Sequence, residues 1–321
     1  MDWENIKNNG WATRHGKELR ILSLDGGGIR GVFPATFLAM FEEETRYKVS
    51  DYFDMIVGTS TGGILALGLS IGMPAKDLVD LYLENANKIF KKKWFGRFGA
   101  LTHQYSNDGL RQMLDQKFGD KIIADAKTML CIPSVEHGKA SPKVFKTPHL
   151  PTYFVDANCR MSSVALATSA APTYFPAVQT NGSDCKIDGG LWANNPSIVG
   201  IAEAHALNYG VESIKMLSIG TGCHMYAVNN NVAKASSLLR YRERLVELTM
   251  QSQTAGAHHM ASYMLKDHYL RIDSLIKKPI KLGETRKPVL SLLQHEAREA
   301  FARSFLMVQN LFESEQQLSV V

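Results

Sequence analysis

The first two thirds of the chain alternate between short apolar runs and amphipathic stretches. Residues 19–24 form an apolar run typical of a buried strand, a glycine-rich turn follows, and Pro34 opens a helix that extends to about residue 47. A second apolar run at residues 53–57 ends in another glycine-rich turn, which precedes a helix carrying Leu65, Leu67 and Leu69. The same unit of strand, turn and helix therefore occurs twice.

The rest of the pattern predicts the fold class. Further strands are predicted at residues 129–132, 144–145, 153–155 and 214–219, with helices at 75–90 and 162–169. This alternation predicts an α/β fold with a mainly parallel sheet sandwiched by helices. From about residue 233 the pattern is helical, with one interruption at 277–288. Because no Gly/Ser linker intervenes, we expect a single domain over residues 1–321, with a motif core at about 20–222 and a helical C-terminal part at about 233–321.

Composition and charge narrow the class of protein. Apolar residues make up 45% of the chain and charged residues 21%, which argues against disordered and fibrous classes. The net charge of +5 favours contact with anionic lipid or phosphate over a dedicated nucleic-acid surface. Residues 1–20 lack the apolar middle of a secretory signal, and the longest apolar run, at 62–73, is too short to span a bilayer. We therefore expect a cytoplasmic protein with transient, peripheral contact to the inner face of the membrane.

The second glycine-rich turn has the pattern of a nucleophile elbow. Gly58-Thr59-Ser60-Thr61-Gly62 matches G-x-S-x-G at the point where a strand meets a helix. On so sharp a turn the serine hydroxyl is pushed outward, and glycines on either side let strand and helix pass closely. An ordinary glycine-rich turn is the alternative, so further elements are needed to assign catalysis to Ser60.

The first glycine-rich turn, residues 25–31, predicts a nest of backbone N–H groups. Gly26, Gly27 and Gly28 can aim their amides into one concavity, which in an acyl hydrolase would hold the oxyanion of the tetrahedral intermediate. The motif also contains Asp25, Arg30 and Gly31. The spacing of Gly26, Gly28 and Gly31 fits the dinucleotide fingerprint as well, but Asp54 precedes the second apolar run instead of following it, and Asp25 would place a carboxylate beside the pyrophosphate.

A third element supplies a candidate base. Asp188 follows the short apolar run at residues 185–187 and precedes Gly189 and Gly190. A carboxylate at a strand end, flanked by glycines, can approach a nucleophile on a neighbouring strand end and accept its proton. A plain turn is the alternative for this motif taken alone.

The glycine loop, the elbow and the Asp-Gly-Gly segment, in this order along the chain, resemble the patatin-like phospholipase family. The resemblance covers roughly residues 20–222 and includes two further segments, Ser169-Ala170-Ala171-Pro172 and Asn194-Asn195-Pro196. It implies a patatin-like three-layer fold, a dyad of Ser60 and Asp188, and an oxyanion hole in the glycine loop, with no histidine, metal or cofactor required. The implied substrate is the acyl ester of membrane phospholipids.

A catalytic triad is the main alternative to this dyad. The order Ser, Asp, His occurs in other α/β hydrolases, and the candidate histidines all follow Asp188: His205, His224, His258 and His259. Most histidines in a chain of this size have structural or surface roles, which favours the dyad. Metalloprotease chemistry is disfavoured, because Glu299 takes the second histidine position of the H-E-x-x-H motif that would begin at His295.

The sequence gives weaker indications of regulation and of membrane contact. In its compact size and its lack of a signal, the chain resembles bacterial patatin-like effectors that cyclic nucleotides activate in antiphage defence. Such an activator would shift an inactive population, for example an oligomer, toward an active one. The expected partners are therefore membrane phospholipid and a cyclic nucleotide, with no nucleic-acid polymer. Residues 91–98 mix lysines and arginine with aromatic rings, which fits either an interfacial membrane contact or a solvated loop.

Overall fold

A mixed sheet that contains five parallel strands forms the middle layer of the computed structural model, which describes residues 17–91, 103–180, 184–223, 238–277 and 279–313. The strand order is β5-β6-β3-β2-β1-β7-β8, and β4 pairs with β3. The strands are β1 (Leu19–Leu24), β2 (Met55–Gly58), β3 (Met129–Glu136), β4 (Ser141–Lys146), β5 (Val178–Gln179), β6 (Cys185–Asp188), β7 (Ile214–Ile219) and β8 (Tyr269–Ile272). Strands β3, β2, β1, β7 and β8 run parallel, whereas β4, β5 and β6 pair antiparallel at one side.

Helices cover both faces of this sheet. They are α1 (Val32–Thr45), α2 (Val49–Tyr52), α3 (Thr61–Ser70), α4 (Ala75–Ile89), α5 (Asp108–Phe118), α6 (Met161–Thr168), α7 (Gly190–Ala193), α8 (Ser197–Ala206), α9 (Leu238–Leu265) and α10 (Lys287–Phe312). Within β1, Leu19 and Ile21 face the side covered by α8 and α9, while Leu22 and Leu24 face the larger core on the other side. Burial on both faces explains why the central strands read as continuous apolar runs. The predicted α/β fold, with a mainly parallel sheet sandwiched by helices, is confirmed.

The C-terminal part packs directly on the motif core. Helix α10 lies against α1, where Phe37 and Phe301 make an edge-to-face contact with ring centroids 5.3 Å apart. At its end, Phe312 packs edge-on against Tyr52 and Phe53, and its carbonyl accepts a hydrogen bond from Arg20 Nη2. The larger apolar core therefore includes residues from both ends of the described chain. The expectation of a single domain stays a prediction.

Two predicted elements need correction. Residues 153–155, predicted as a strand, lie in a segment of turns without a partner strand, and Phe154 and Val155 are exposed. The break in the C-terminal helical pattern, predicted at 277–288, in fact begins at residue 266. It contains β8, which extends the parallel sheet beside β7. Four residues are too few to give β8 a recognisable alternating pattern.

Strand β3 is longer than β2, and this difference positions the chemistry. Its first half pairs with β2 at residues 129–131, while Ser134 to Glu136 pair with β6. Because β4 occupies the opposite side of β3 along residues 131–136, β2 and β6 must lie on the same side, one after the other. Since β6 is antiparallel to β3, the carboxyl ends of β2 and β6 point at each other across a short gap. The turns that follow Gly58 and Asp188 therefore meet.

Candidate active site

Ser60 occupies the sharp turn between β2 and α3. Its backbone lies at φ 55° and ψ −121°, a region that a residue with a side chain rarely adopts. A Cβ on Gly58 would lie 2.2 Å from the Gly62 carbonyl oxygen, and one on Gly62 would lie 2.3 Å from that of Leu24. The two glycines thus permit the close passage of strand and helix that the G-x-S-x-G pattern predicts. Ser60 itself is only 6% exposed.

Thr168, at the end of α6, holds this strained turn in place. Its hydroxyl accepts a hydrogen bond of 3.0 Å from the Ser60 N–H and donates one of 2.6 Å to the Pro133 carbonyl. Pro133 belongs to β3, opposite the gap between β2 and β6. The serine backbone is therefore tied to the strand that organises both chain ends. Sequence reasoning missed Thr168, because nothing in its local pattern distinguishes it from other helical threonines.

Asp188 ends β6 and is fully buried. Its Oδ1 accepts a hydrogen bond of 2.7 Å from the Gly190 N–H, while Oδ2 is buried without a hydrogen bond of normal geometry among the described residues. Burial raises the pKa of Asp188 to about 7, against the lowering effects of the Gly190 amide and of the adjoining Ser60 hydroxyl. The structure thus brings the two predicted side chains into one cleft. Catalytic hydrogen bonds in empty sites are often loose and tighten when substrate binds.

The two glycines after Asp188 lie in close contacts. A Cβ on Gly189 would lie 2.3 Å from the Pro133 carbonyl oxygen, and one on Gly190 would lie 2.3 Å from the Met250 methyl group. Because the neighbour of Gly189 is backbone, only glycine fits there, whereas the neighbour of Gly190 is the end of a flexible side chain. The Asp-Gly-Gly sequence is therefore a site where backbone and carboxylate pack tightly, which a plain surface turn would not need.

The glycine loop lies beside Ser60, but its donors differ from the prediction. A Cβ on Gly26 would lie 3.3 Å from the Ser60 Cβ, which places the loop against the serine. The N–H of Gly26 already donates a 2.9 Å bond to the Asn194 carbonyl, so including Gly26 among the oxyanion donors needs correction. Among the described residues, the N–H groups of Gly27 and Gly28 donate to no protein acceptor. These two amides are the donors that the loop has available.

The position that a dinucleotide phosphate would need is already occupied. The Leu282 carbonyl accepts a 2.8 Å bond from the Ile29 N–H at the start of the short helix Gly28–Gly31. A Cβ on Gly28, whose φ is +57°, would lie 2.4 Å from the same oxygen. A pyrophosphate could not accept from the Ile29 N–H without displacing the Leu282 segment.

Arg271 on β8 anchors the start of the glycine loop. Its guanidinium makes a two-point bond to Asp25, with Nη1 at 2.9 Å from Oδ1 and Nη2 at 2.6 Å from Oδ2, and it also contacts Asp273 at 2.7 Å. Burial raises the pKa of Asp25 to about 6, in spite of Arg271. Sequence reasoning placed Asp25 in the motif but could not find its partner, which lies 246 positions away along the chain.

The remaining motif residues support the loop. Arg30 donates to the carbonyls of Gly27 at 3.3 Å and Gly222 at 3.4 Å, and burial lowers the pKa of its guanidinium. A Cβ on Gly31 would lie 2.1 Å from the Thr61 hydroxyl oxygen, so Gly31 lets the loop pack on the start of α3. Neither residue faces Asp188 directly, and both hold the backbone that carries the free amides.

A largely apolar cavity opens at Ser60 and Asp188. We call it the serine cavity; its empty space, counted together with the open solvent at its mouth, is about 490 Å³. Its walls come from the glycine loop, α3, α4, α5, α9 and the segment after α6, and the lining side chains include Ile64, Tyr82, Ile89, Phe90, Leu110, Tyr174, Phe175, Met250 and Leu282. Such a cavity suits an acyl chain, because it buries methylene groups beside the reacting atoms.

Three of the histidines proposed for a triad, His205, His258 and His259, do not line the serine cavity. His258 on α9 lies near the Tyr269 hydroxyl, with its Nδ1 at 3.3 Å, and His205 ends α8. His259 is exposed on α9. No histidine is found among the described residues that line the serine cavity. His224 lies outside the described residues, as do positions 92–98 of the basic and aromatic segment.

Two further features are absent from the part of the chain that the structure describes. No helix there combines the length and the apolar character needed to cross a bilayer. Nor does that part contain a group of three or more His, Cys, Asp or Glu side chains placed to hold a metal ion.

Comparisons with known proteins identify the family of the chain. The sequence model of the family described as "Patatin-like phospholipase" matches residues 22–199. A cGAMP-activated phospholipase of Vibrio cholerae is 37% identical over 341 aligned positions, which cover 95% of this chain and 94% of the relative. A protein of the same description from Pseudomonas aeruginosa is 34% identical, covering 79% of this chain and 77% of the relative. One from Escherichia coli is also 34% identical, covering 80% of each chain.

Proposed function

Since the chain belongs to the patatin-like phospholipase family, we propose that it hydrolyses acyl esters of membrane phospholipids with Ser60 as nucleophile and Asp188 as base. One observation carries this proposal. The head-on ends of β2 and β6 bring a strained serine and a buried carboxylate into one cleft, beside two free backbone amides and an apolar cavity. This combination supplies a nucleophile, a base, an oxyanion site and an acyl site.

The first half of the reaction forms an acyl-enzyme. Ser60 Oγ attacks the ester carbonyl carbon, and its proton passes to Asp188. A base with a pKa of about 7 is well matched to neutral pH. The negative charge that develops on the carbonyl oxygen is stabilised by the N–H groups of Gly27 and Gly28, and one such donor is typically worth about 3 to 4 kcal/mol. Asp188 then returns the proton to the leaving lysolipid oxygen.

The second half repeats the same roles with water. Asp188 removes a proton from a water molecule that attacks the acyl carbonyl, and the proton returns to Ser60 Oγ as the fatty acid leaves. Because Asp188 must be ionised to act as base, kcat/KM on a short-chain ester should rise as the pH rises through about 7 and then level off. A profile that is flat between pH 5 and 8 would contradict this assignment of the base.

We also infer that a cyclic nucleotide controls this activity. The relatives from three bacteria are described as cGAMP-activated phospholipases, and two of them align over about four fifths of this chain and the third over nearly all of it. A resting enzyme of this kind would show low hydrolysis until cGAMP binds. Transient peripheral contact with the membrane surface, and an oligomer as the resting or active state, remain part of the proposal.

Phospholipid vesicles with and without cGAMP provide the test. We expect fatty-acid release by the wild-type protein, stimulated by cGAMP, and its loss in Ser60→Ala and Asp188→Asn. His258→Ala, assayed on a short-chain ester, separates dyad from triad, because a triad loses most of its kcat without its histidine. Hydrolysis that persists in Ser60→Ala would overturn the proposed nucleophile, and loss of activity in His258→Ala with a native fold would overturn the dyad.

A further inference from the structure

Asn194, directly after α7, has a buried oxygen that the mechanism described so far does not use. The residue is only 6% exposed, and its Oδ1 accepts no hydrogen bond from a described residue. Its Nδ2 donates to the Thr254 hydroxyl oxygen at 2.9 Å and to the Gly26 carbonyl at 3.4 Å. Because a carbonyl can only accept, the nitrogen faces Gly26 and the free atom is the oxygen. Buried acceptors are normally satisfied, so this oxygen calls for a donor.

This oxygen borders the two side chains of the proposed dyad. A Cβ on Gly190 would lie 2.9 Å from Asn194 Oδ1 and 3.0 Å from Asp188 Oδ1, so both side chains approach one point. A Cβ on Gly26 would lie 2.4 Å from Asn194 Oδ1 and 3.3 Å from the Ser60 Cβ. In each case the two atoms are separated by no more than the sum of the two distances. That span suits one water molecule, whose hydrogen bonds to oxygen are about 2.8 Å long.

Asp188 supplies the second acceptor that such a water molecule needs. Its Oδ1 accepts from the Gly190 N–H, and its Oδ2 is buried without a hydrogen bond of normal geometry among the described residues. Once Ser60 carries an acyl group, its Oγ has no proton left to donate to Asp188. A water molecule can then donate one proton to Asp188 Oδ2 and the other to Asn194 Oδ1, and its lone pairs remain free to attack the acyl carbon.

A second cavity gives water a route to this position. We call it the loop cavity; its empty space, counted together with the open solvent at its mouth, is about 1170 Å³. Asn194 and Gly26 line it, and it shares Met250 and Leu282 with the serine cavity, so the two cavities adjoin. In contrast to the serine cavity, its lining includes the charged side chains of Asp25, Arg30, Arg271 and Asp273. While the acyl chain fills the apolar serine cavity, water can reach the acyl-enzyme from the polar loop cavity, past Asn194.

We propose that Asn194 Oδ1 and Asp188 Oδ2 together hold the water that hydrolyses the acyl-enzyme, and that Asn194 thereby favours water over alcohols as the acyl acceptor. This inference rests on the proposed function and deepens it. The water oxygen attacks the acyl carbonyl carbon, and one of its protons passes to Asp188. The other proton stays on the new carboxyl group and keeps its bond to Asn194. The bond between the carbon and Ser60 Oγ then breaks, and Asp188 returns its proton to Oγ.

The preference for water follows from the number of protons. An alcohol has a single O–H proton, and Asp188 must take it as the alcohol attacks. No proton is then left for Asn194 Oδ1, which stays buried without a donor, and an unpaired buried acceptor costs free energy. Asn194 therefore stabilises the attack of water and not the attack of an alcohol.

Partition of the acyl group between water and methanol tests this proposal. The protein is given a short-chain p-nitrophenyl ester at a fixed concentration of methanol, and free acid and methyl ester are quantified by chromatography. Asn194→Leu has a similar volume but no acceptor, and it should raise the ratio of methyl ester to free acid by roughly fivefold or more. In water alone, acylated Ser60 should accumulate in mass spectra of this variant, because hydrolysis slows more than acylation does.

Thr221→Val is the matched control. Thr221 also lines the loop cavity, and its hydroxyl donates a 3.1 Å bond to the Gly26 carbonyl, the same acceptor that Asn194 Nδ2 uses. This variant therefore removes a bond that holds the glycine loop and keeps the free oxygen of Asn194. Its ratio of methyl ester to free acid should stay within about twofold of the wild-type ratio. An equal rise in Thr221→Val and Asn194→Leu would assign the effect to a loosened loop and overturn the proposal.

The remaining outcomes separate this inference from the proposed function. A wild-type ratio in Asn194→Leu, with a native circular dichroism spectrum, would overturn the water site. If Asn194→Leu does not fold, Asn194→Ala removes the same acceptor without adding bulk; its ratio should also rise, and an unchanged ratio would again overturn the site. Hydrolysis that persists in Ser60→Ala would instead overturn the proposed nucleophile, whereas a trapped acyl group on Ser60 with an unchanged ratio would leave the nucleophile standing and refute only the role of Asn194.

Discussion

Asp188→Asn should make the protein more stable at neutral and alkaline pH while abolishing activity. Asparagine has nearly the same shape as aspartate, and its Oδ1 can still accept from the Gly190 N–H. Its amide nitrogen would then take the place of Oδ2, the buried oxygen that has no hydrogen bond of normal geometry. The substitution therefore removes a buried negative charge without creating a cavity.

The magnitude follows from the pKa of Asp188. Its value rises from 3.8 to about 7 on folding, so between these limits the folded protein binds a proton that the unfolded chain does not. The stabilisation that protonated Asp188 contributes to the folded protein has its full value below pH 3.8 and is lost as the pH rises through about 7. A shift of about 3 pH units corresponds to roughly 4 kcal/mol, of which about 3 kcal/mol is lost between pH 5 and pH 8.

Thermal unfolding at several pH values measures this difference. The Tm of Asp188→Asn should exceed that of the wild type by a margin that widens by about 4 °C between pH 5 and pH 8. Contributions from other titrating groups, such as Asp25, cancel in the comparison. Ser60→Ala keeps the carboxylate and removes a hydroxyl that lowers its pKa, so its Tm should fall with rising pH at least as steeply as that of the wild type. A margin that is the same at pH 5 and pH 8 would show that Asp188 is not a buried, costly charge.

Three further substitutions test the parts that support the site. Thr168→Val removes the acceptor of the elbow amide and should lower the free energy of unfolding by about 1 to 3 kcal/mol, measured by urea denaturation, whereas Thr168→Ser should retain it. Gly28→Ala places a Cβ against the Leu282 carbonyl at a residue with positive φ, so esterase activity should fall by roughly a hundredfold. The circular dichroism spectrum of this variant should stay native. Arg271→Met leaves Asp25 buried and unpaired and should lower the free energy of unfolding in urea by about 3 to 5 kcal/mol. A smaller loss of stability in Arg271→Met than in Arg271→Lys would contradict the ion-pair argument.

Local sequence signals predicted the parts of the site that one short segment encodes. The elbow at Ser60 and the free amides of the glycine loop depend on glycines at fixed spacing, which leave a clear trace in the sequence. Strand β1 was predicted with its observed bounds, Leu19–Leu24, because both of its faces are buried and its apolar run is continuous. The resemblance to the family joined these segments into one site, and the match over residues 22–199 confirms the family.

Contacts between distant segments could not be predicted from the sequence. The bond between Gly26 and Asn194 removes one expected oxyanion donor, and it depends on how α7 returns to the loop. The partners of Thr168 and Asp25 are likewise fixed by the packing of β3 and β8, not by local pattern. Strand β8 was missed for a related reason, since so short a strand is stabilised by its neighbour more than by its own sequence.

The two halves of the site are held by different parts of the fold. Ser60 and Asp188 are positioned by β2 and β6, whose separation is fixed by backbone hydrogen bonds to β3. The glycine loop is positioned from the C-terminal part, through Arg271 on β8 and the Leu282 carbonyl.

Both of these anchors lie beyond residue 199, where the match to the family model ends. A change in the C-terminal segment would therefore move the proposed oxyanion donors relative to Ser60 while leaving the proposed pair of Ser60 and Asp188 in place. Because transition-state stabilisation depends on donors within hydrogen-bond distance of the developing oxyanion, such a change would alter kcat more than the stability of the sheet. The helical C-terminal part is thus a structural component of the proposed active site, and not only a cover for the core.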